Sequence, residues 1–180
     1  MLEYCLIATA FGPIGLLWSE RGLRRLQLPD VEAPAAHARL LHGIEAAEAD
    51  PPAGLEPSIV KLQRYFAGVR TELDDIPIDL EGVPDFFGAL YLEMRTLGWG
   101  ETVTYGELAA RVGAPGAARA VGQAMGRNRL PVIVPCHRVL ASQGRPGGFS
   151  APGGVATKLR LLDMEGVRLT RPSPQLAFAF

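Results

Sequence analysis

The chain has 180 residues, 18 Lys+Arg against 19 Asp+Glu for a formal charge of −1, and 48% apolar residues, a globular rather than a disordered composition. Two cysteines, Cys5 and Cys136, exclude a disulfide framework and a cysteine-rich zinc site and make a reducing cytoplasm the expected compartment. No apolar run approaches the roughly 20 residues of a membrane span, and Met1-Leu2-Glu3-Tyr4 lacks the basic start of a signal peptide.

The small net charge conceals an asymmetry. Residues 1–85 carry 7 Lys+Arg and 14 Asp+Glu, a net −7, whereas residues 86–180 carry 11 and 5, a net +6. This points to the second half as the one that meets a polyanion, although +6 is also ordinary for the surface of a small domain.

In chain order, Leu2–Ala8, Ile14–Trp18 and Leu23–Leu28 read as strands separated by turns at Gly12-Pro13 and Arg21-Gly22. An Ala-rich helix is predicted over Pro34–Ala47, a loop over Asp50–Gly54, and a helix through Ile59, Leu62, Phe66 and Val69. Ile76–Leu80 reads as an edge strand, because Pro77 has no N–H for a central ladder. These elements make an α/β unit, a small antiparallel sheet with helices, over residues 1–85, in which nothing has a catalytic pattern.

The second half reads as mostly helical. Phe87, Leu90, Tyr91, Met94 and Leu97 share the apolar face of a helix ending near Gly98. Thr104-Tyr105-Gly106-Glu107 is a capping box that opens a helix running to about Val112, broken by Gly113-Ala114-Pro115-Gly116. Ala117–Met125 forms the next helix, so the pair has the helix-turn-helix pattern. Its side chains, including Ala117, Ala118 and Gly122, are small, and Arg119 is its one long cation. Such a helix either approaches another molecule closely or is simply packed, with Arg119 in a surface ion pair.

Leu130–Val139 then delivers Cys136 beside His137, between Pro135 and Arg138. A free thiol is only a few per cent ionised at neutral pH, and a neighbouring base or imidazolium raises that fraction. Adjacent residues of extended chain point apart, so the pair meets only through a bend or a bridging water. A buried structural cysteine is the competing reading. Gly144–Ser150 is a glycine-rich loop whose Phe149 is placed to form a stacking wall. Val155, Leu159 and Leu162 mark the expected apolar face of a helix stopped by Gly166. Glu165 sits at the negative end of that helix dipole, where a carboxylate needs a partner, His137 being the candidate, unless it is solvated in a frayed last turn.

Together these residues resemble the O6-alkylguanine-DNA alkyltransferases, or methylated-DNA–protein-cysteine methyltransferases. The likeness runs from about Phe86 to Gly166 and centres on Val134-Pro135-Cys136-His137-Arg138-Val139. It is supported by Gly100–Tyr105, Ala117–Gly122, Asn128 and Leu161–Gly166. It implies residues 86–166 as a helix-turn-helix DNA-binding and alkyl-acceptor domain, 1–85 as the variable α/β domain, and 167–180 as a tail. It also implies Cys136 as acceptor, His137 acting through a water as base, and Glu165 holding the imidazole. By the same resemblance Asn128 is expected to bridge the helix-turn-helix and the active-site turn, and Tyr105 to donate to guanine N3. The resemblance further implies that Arg119 fills the gap left by the extruded nucleotide, that the Val139 carbonyl and Ser150 backbone read the base edge, and that Phe149 stacks. The implied partner is double-stranded DNA carrying O6-alkylguanine (and O4-alkylthymine), bound through the minor groove by a monomer that uses no cofactor and touches no membrane. Helix-turn-helix geometry alone would have suggested the major groove.

Several positions depart from the family pattern. Phe149 replaces a usual Tyr, Arg129 a usual Pro, and Phe87 and Gly98 a usual Gln and Pro, while Ala151-Pro152 lengthens the loop after Ser150. Cys5, His37 and His42 supply too few ligands for the zinc site of some members, so no metal is expected. Two other classes stay open on the residues alone: a non-catalytic helix-turn-helix lesion sensor or regulator, and a thiol hydrolase, for which no oxyanion loop follows Cys136.

Overall fold

A computed structural model describes residues 1–30 and 33–169, with 33–36 described in backbone only. The tail reading that rested on Pro172 and Pro174 lies outside the described residues.

Strands β1 (Glu3–Ile7), β2 (Ile14–Ser19) and β3 (Gly22–Gln27) form an antiparallel meander. All of Ile14–Trp18 is buried, so β2 loses the alternation of a half-exposed strand because both its faces are covered. Leu17 packs with Tyr4 and Leu40 under helix α1 (Ala33–Leu41), while Ile14, Leu16 and Trp18 join the main core. The predicted helix over Pro34–Ala47 is therefore too long. Gly43 takes φ +68 after it, and Ala47–Glu48 becomes strand β4, pairing parallel with β1. The sheet is mixed, in the order β3-β2-β1-β4. Ile76–Leu80 does lie along the β3 edge, but as a single bridge from Ile78 to Leu23 rather than a strand. Pro77 still accepts from Leu23 through its carbonyl, at 2.9 Å.

Helix α2 (Glu56–Phe66) turns Leu62, Tyr65 and Phe66 inward; Val69 falls beyond its end and is exposed. Helix α3 (Asp85–Arg95) buries Leu90, Tyr91 and Met94, and Leu97 is buried just past it. The short β5 (Val103–Thr104) pairs parallel with β6 (Val139–Leu140). Both halves of the capping box form: Thr104 Oγ1 accepts from Glu107 N, and the Glu107 carboxylate accepts from Thr104 N, opening α4 (Tyr105–Arg111). Helix α5 (Ala118–Gly126) follows the Gly113–Gly116 turn and is fastened to α3 by Tyr91 Oη donating to the Ala124 carbonyl at 2.8 Å.

Helix α6 (Gly154–Met164) corrects another expectation. Val155 and Leu159 are exposed, and the inward face carries Lys158, Leu161 and Leu162 instead. One apolar core runs through both halves of the chain, from Leu16 and Trp18 through Tyr65 and Met94 to Val121, Cys136 and Leu161. The halves are further joined by Leu26 N donating to the Arg129 carbonyl at 2.8 Å and by Arg160 stacked 3.7 Å above the Phe11 ring. Among the described residues no helix is long and apolar enough to cross a membrane.

Candidate active site around Cys136

The chain approaches Cys136 through a tight buried turn. Val134 N donates to Leu130 O at 2.8 Å, and Val132 takes φ +77, a left-handed conformation that a β-branched residue seldom adopts. Cys136–Arg138 then forms one 3-10 turn. That bend sends adjacent side chains to different partners. Asn128, just beyond α5, donates through Nδ2 to Val134 O at 2.9 Å and to Cys136 Sγ at 3.2 Å, while its Oδ1 accepts from Leu130 N at 2.9 Å. One amide thus orients both the turn and the sulfur.

His137 faces the interior and is fully buried. Its Nε2 lies 2.8 Å from Glu165 Oε1. Against a carboxylate Nε2 carries the proton, which leaves the Nδ1 lone pair as the acceptor of a neutral ring. Nδ1 has no hydrogen-bond partner among the described residues. Burial pulls the imidazole's proton affinity down, with Glu165 opposing, so the resting ring is neutral.

Glu165 has more partners than the sequence suggested. Arg138 donates Nε to Oε2 at 2.9 Å and Nη2 to Oε1 at 2.8 Å, Gly100 N donates to Oε2 at 3.2 Å, and Tyr65 Oη donates to Oε1. Burial alone would raise its carboxyl, but the hydrogen bonds from His137 and Arg138 and the Arg138 charge hold it well below the usual carboxylate range. Gly100 can sit there because it has no Cβ: at φ +75 one would fall 2.9 Å from the Glu165 carbonyl oxygen.

Lys158 was not foreseen either. It is fully buried on α6 and donates to the Val139 carbonyl at 2.6 Å and the Gly148 carbonyl at 3.3 Å. Burial lowers its pKa to about 8, and the charge of a Cys136 thiolate opposes that fall. Burial also pushes the Cys136 thiol up, with the Asn128 hydrogen bond and the Lys158 ammonium pulling the other way. At rest the site therefore holds a protonated thiol near a neutral His137. The cause is the near-complete burial of the sulfur.

Beside the sulfur lies a cavity of about 250 Å³ lined by Tyr105, Gly122, Met125, Cys136, Phe149 and Ser150, with Gly126 and Gly148. Burial, and after it the Cys136 charge, raise the Tyr105 phenol, which remains a donor. Gly147, at φ +70, lets the loop close on that phenol; a Cβ would stand 3.1 Å from Tyr105 Oη. Ser150 Oγ donates to Met125 O at 3.3 Å, tying the loop to α5. Of the α5 residues singled out from sequence, Gly122 lines the cavity, but Ala117, Ala118 and Arg119 lie at the helix start, outside its wall. Arg119 is exposed and makes no hydrogen bond or ion pair among the described residues, so the ion-paired alternative is absent there. Val139 is buried outside the cavity wall, its carbonyl already accepting from Lys158. Among the described residues no three His, Cys, Asp or Glu side chains converge as a metal site.

The family model for the DNA-binding domain of 6-O-methylguanine DNA methyltransferase matches residues 85–167, and that for its ribonuclease-like domain matches residues 2–80. The methylated-DNA–protein-cysteine methyltransferase of Shigella flexneri is 38% identical over 174 residues, covering 91% of this chain and 95% of that relative. Its Mycobacterium tuberculosis counterpart is 44% identical over 117 residues, 65% of this chain and 68% of the relative. The crystal structure of Mycobacterium tuberculosis OGT in complex with DNA superposes with a TM-score of 0.75 at 36% identity, covering 91% of this chain and 93% of that one.

Proposed function

The chain belongs to the methylated-DNA–protein-cysteine methyltransferase family, and from that membership we propose that Cys136 is its alkyl acceptor. It is a DNA-repair protein that moves an alkyl group from DNA to one of its own cysteines, and DNA is its partner. The observation that carries the assignment is the position of Sγ: it stands in the wall of the cavity between Tyr105 and Phe149, with the Asn128 amide on it.

The lesion is O6-alkylguanine, with O4-alkylthymine as a second substrate, extruded through the minor groove from a duplex bound by α5. Inside the stack the alkyl carbon is out of a thiol's reach, so flipping is obligatory, at a cost of a few kcal/mol that a weakened pair reduces. The exposed Arg119 takes the vacated place. The flipped base lies against Phe149, with the Ser150 backbone and the Val139 carbonyl, which retains a second lone pair, at its edge. Ala117, Ala118 and Gly122 let the helix come close to the DNA.

In the chemical step the Cys136 proton passes through a water to His137 Nδ1, and the resulting imidazolium is stabilised by Glu165 at 2.8 Å. Sulfur attacks the alkyl carbon, the S–C bond forms and the C–O6 bond breaks. Its electron pair stays on guanine, to which Tyr105 gives a proton at N3, and water carries the proton held by His137 back to the phenol. Thiol and alkylguanine become thioether and guanine with no other reactant, so the step needs no cofactor. No group in the site cleaves a thioether; each molecule, working as a cytoplasmic monomer, acts once. Mass spectrometry after incubation with an O6-methylguanine duplex tests this reading. A gain of about 14 Da on Cys136 at one equivalent is expected; binding with no mass change would instead mark a lesion sensor.

A further inference from the structure

Cys136 also stands in the wall of a second cleft, of about 480 Å³, and shares only itself and Ser150 with the first cavity. Cys136 is thus at a junction of the two. The second cleft is lined by Arg25, Arg39 and His42 from the acidic half of the chain and by Arg129, Pro131 and Pro152 from the basic half, and among the described residues no Asp or Glu is in its wall.

Its cations are unevenly satisfied. Arg39 pairs with Asp30 at 2.8 Å. Arg25 donates Nη1 to the carbonyls of Leu40 and His42, at 2.8 and 2.9 Å, and its Nε has no partner among the described residues. Arg129 is exposed, and its side chain makes no hydrogen bond or ion pair among the described residues. The Arg129 charge is close enough to disfavour that of Arg25, after the larger effect of burial. Two neighbouring guanidiniums with no carboxylate between them among the described residues attract an anion. Arg129 and the Ala151-Pro152 pair both stand in the wall of this cleft.

Displacement at carbon places sulfur, carbon and O6 in line, so the rest of a long substituent must leave sideways from that axis. With the base in the first cavity, the way out past the sulfur is the cleft. We propose that the cleft receives the far end of the O6 substituent and makes the chain prefer long substituents ending in an anion, the O6-carboxyalkylguanines, over neutral ones of equal length. This rests on the reading of Cys136 as alkyl acceptor.

The test uses the full chain and three duplexes carrying O6-methylguanine, O6-(3-carboxypropyl)guanine or the matching carboxamide, with single-turnover rates read by mass spectrometry. The expected result is reaction of the carboxylate about three- to ten-fold faster than the carboxamide, the size of one partly screened charge contact. Arg129→Gln should bring that ratio close to one, and so should raised salt. Equal rates for the two long substituents in the unaltered chain would overturn the proposal. So would an Arg129→Gln variant that slows both lesions alike and leaves the ratio intact, because the cleft would then be binding a DNA phosphate. Failure to take even the methyl group would overturn the acceptor reading itself, which separates the two failures.

Discussion

Arg138 grips Glu165 through two hydrogen bonds, Nε to Oε2 at 2.9 Å and Nη2 to Oε1 at 2.8 Å, and thereby fixes the carboxylate that His137 meets at 2.8 Å. Both members of the pair are buried. Glu165→Gln removes the charge but keeps the shape, leaving Arg138 without its counter-charge. A loss of about 3–5 kcal/mol is expected in urea unfolding. The imidazolium that forms as the thiol ionises also loses its stabilisation, so the alkylation rate should rise with pH at higher values than in the parent chain. An unmoved pH profile would remove Glu165 from the relay.

The same carboxylate reaches into the first half of the chain through Tyr65 on α2. Tyr65→Phe removes one hydroxyl from a fully buried position without changing the packing of the ring against Phe66 and Trp99. The expected cost is about 1–2 kcal/mol. Reaction with free O6-benzylguanine should slow a few-fold, because Glu165 then holds His137 less rigidly. An unchanged rate would mean that Arg138 alone positions the carboxylate.

Lys158 gives a prediction with a sign. Its ammonium is the cation that favours a Cys136 anion, so Lys158→Met should raise the thiol pKa. In a Cys5→Ala background, the pH dependence of carboxamidomethylation by iodoacetamide should shift upward. Stability responds oppositely to pH. With a folded pKa of about 8 against about 10.4 for an unfolded lysine, the unfolded chain binds more protons between those values. The Lys158 penalty is complete below pH 8 and is relieved as pH rises through that window. The slope of unfolding free energy against pH should therefore be less positive in Lys158→Met than in the parent chain. Equal slopes would show that Lys158 keeps its ordinary proton affinity.

What the sequence revealed of the site was what lies close together along the chain. Thr104 and Glu107 announce the start of α4 because a capping box needs only four residues, and both of its bonds are present. Asn128 and Cys136 are eight residues apart and meet at 3.2 Å. Tyr65 left no such trace, since its partner is 100 residues away and a buried tyrosine looks like any core aromatic until the halves dock. Lys158 did leave a signal, standing three and four residues before the buried Leu161 and Leu162. That signal is masked because a lysine is expected in water, and Val155 and Leu159 offer a competing apolar face. The helix extended to Ala47 failed for a related reason: alanine propensity is weak beside a vacant strand edge, and β1 supplied one, with Ala47 N donating to Leu2 O at 3.1 Å.

Arg119 separates extrusion of the base from the chemistry performed on it. It sits at the start of α5 outside the cavity wall, so no bond-making atom depends on it. Its only proposed task is to occupy the stack that the nucleotide leaves, which a free base never requires. Arg119→Ala should therefore slow repair of an O6-methylguanine duplex by roughly 10- to 100-fold, corresponding to a few kcal/mol of unstacking left uncompensated. Reaction with free O6-benzylguanine should stay within about two-fold of the parent, and the unfolding midpoint should not move, as for an exposed side chain without partners among the described residues. Parallel losses on duplex and free base would place Arg119 in the cavity's support rather than in the DNA.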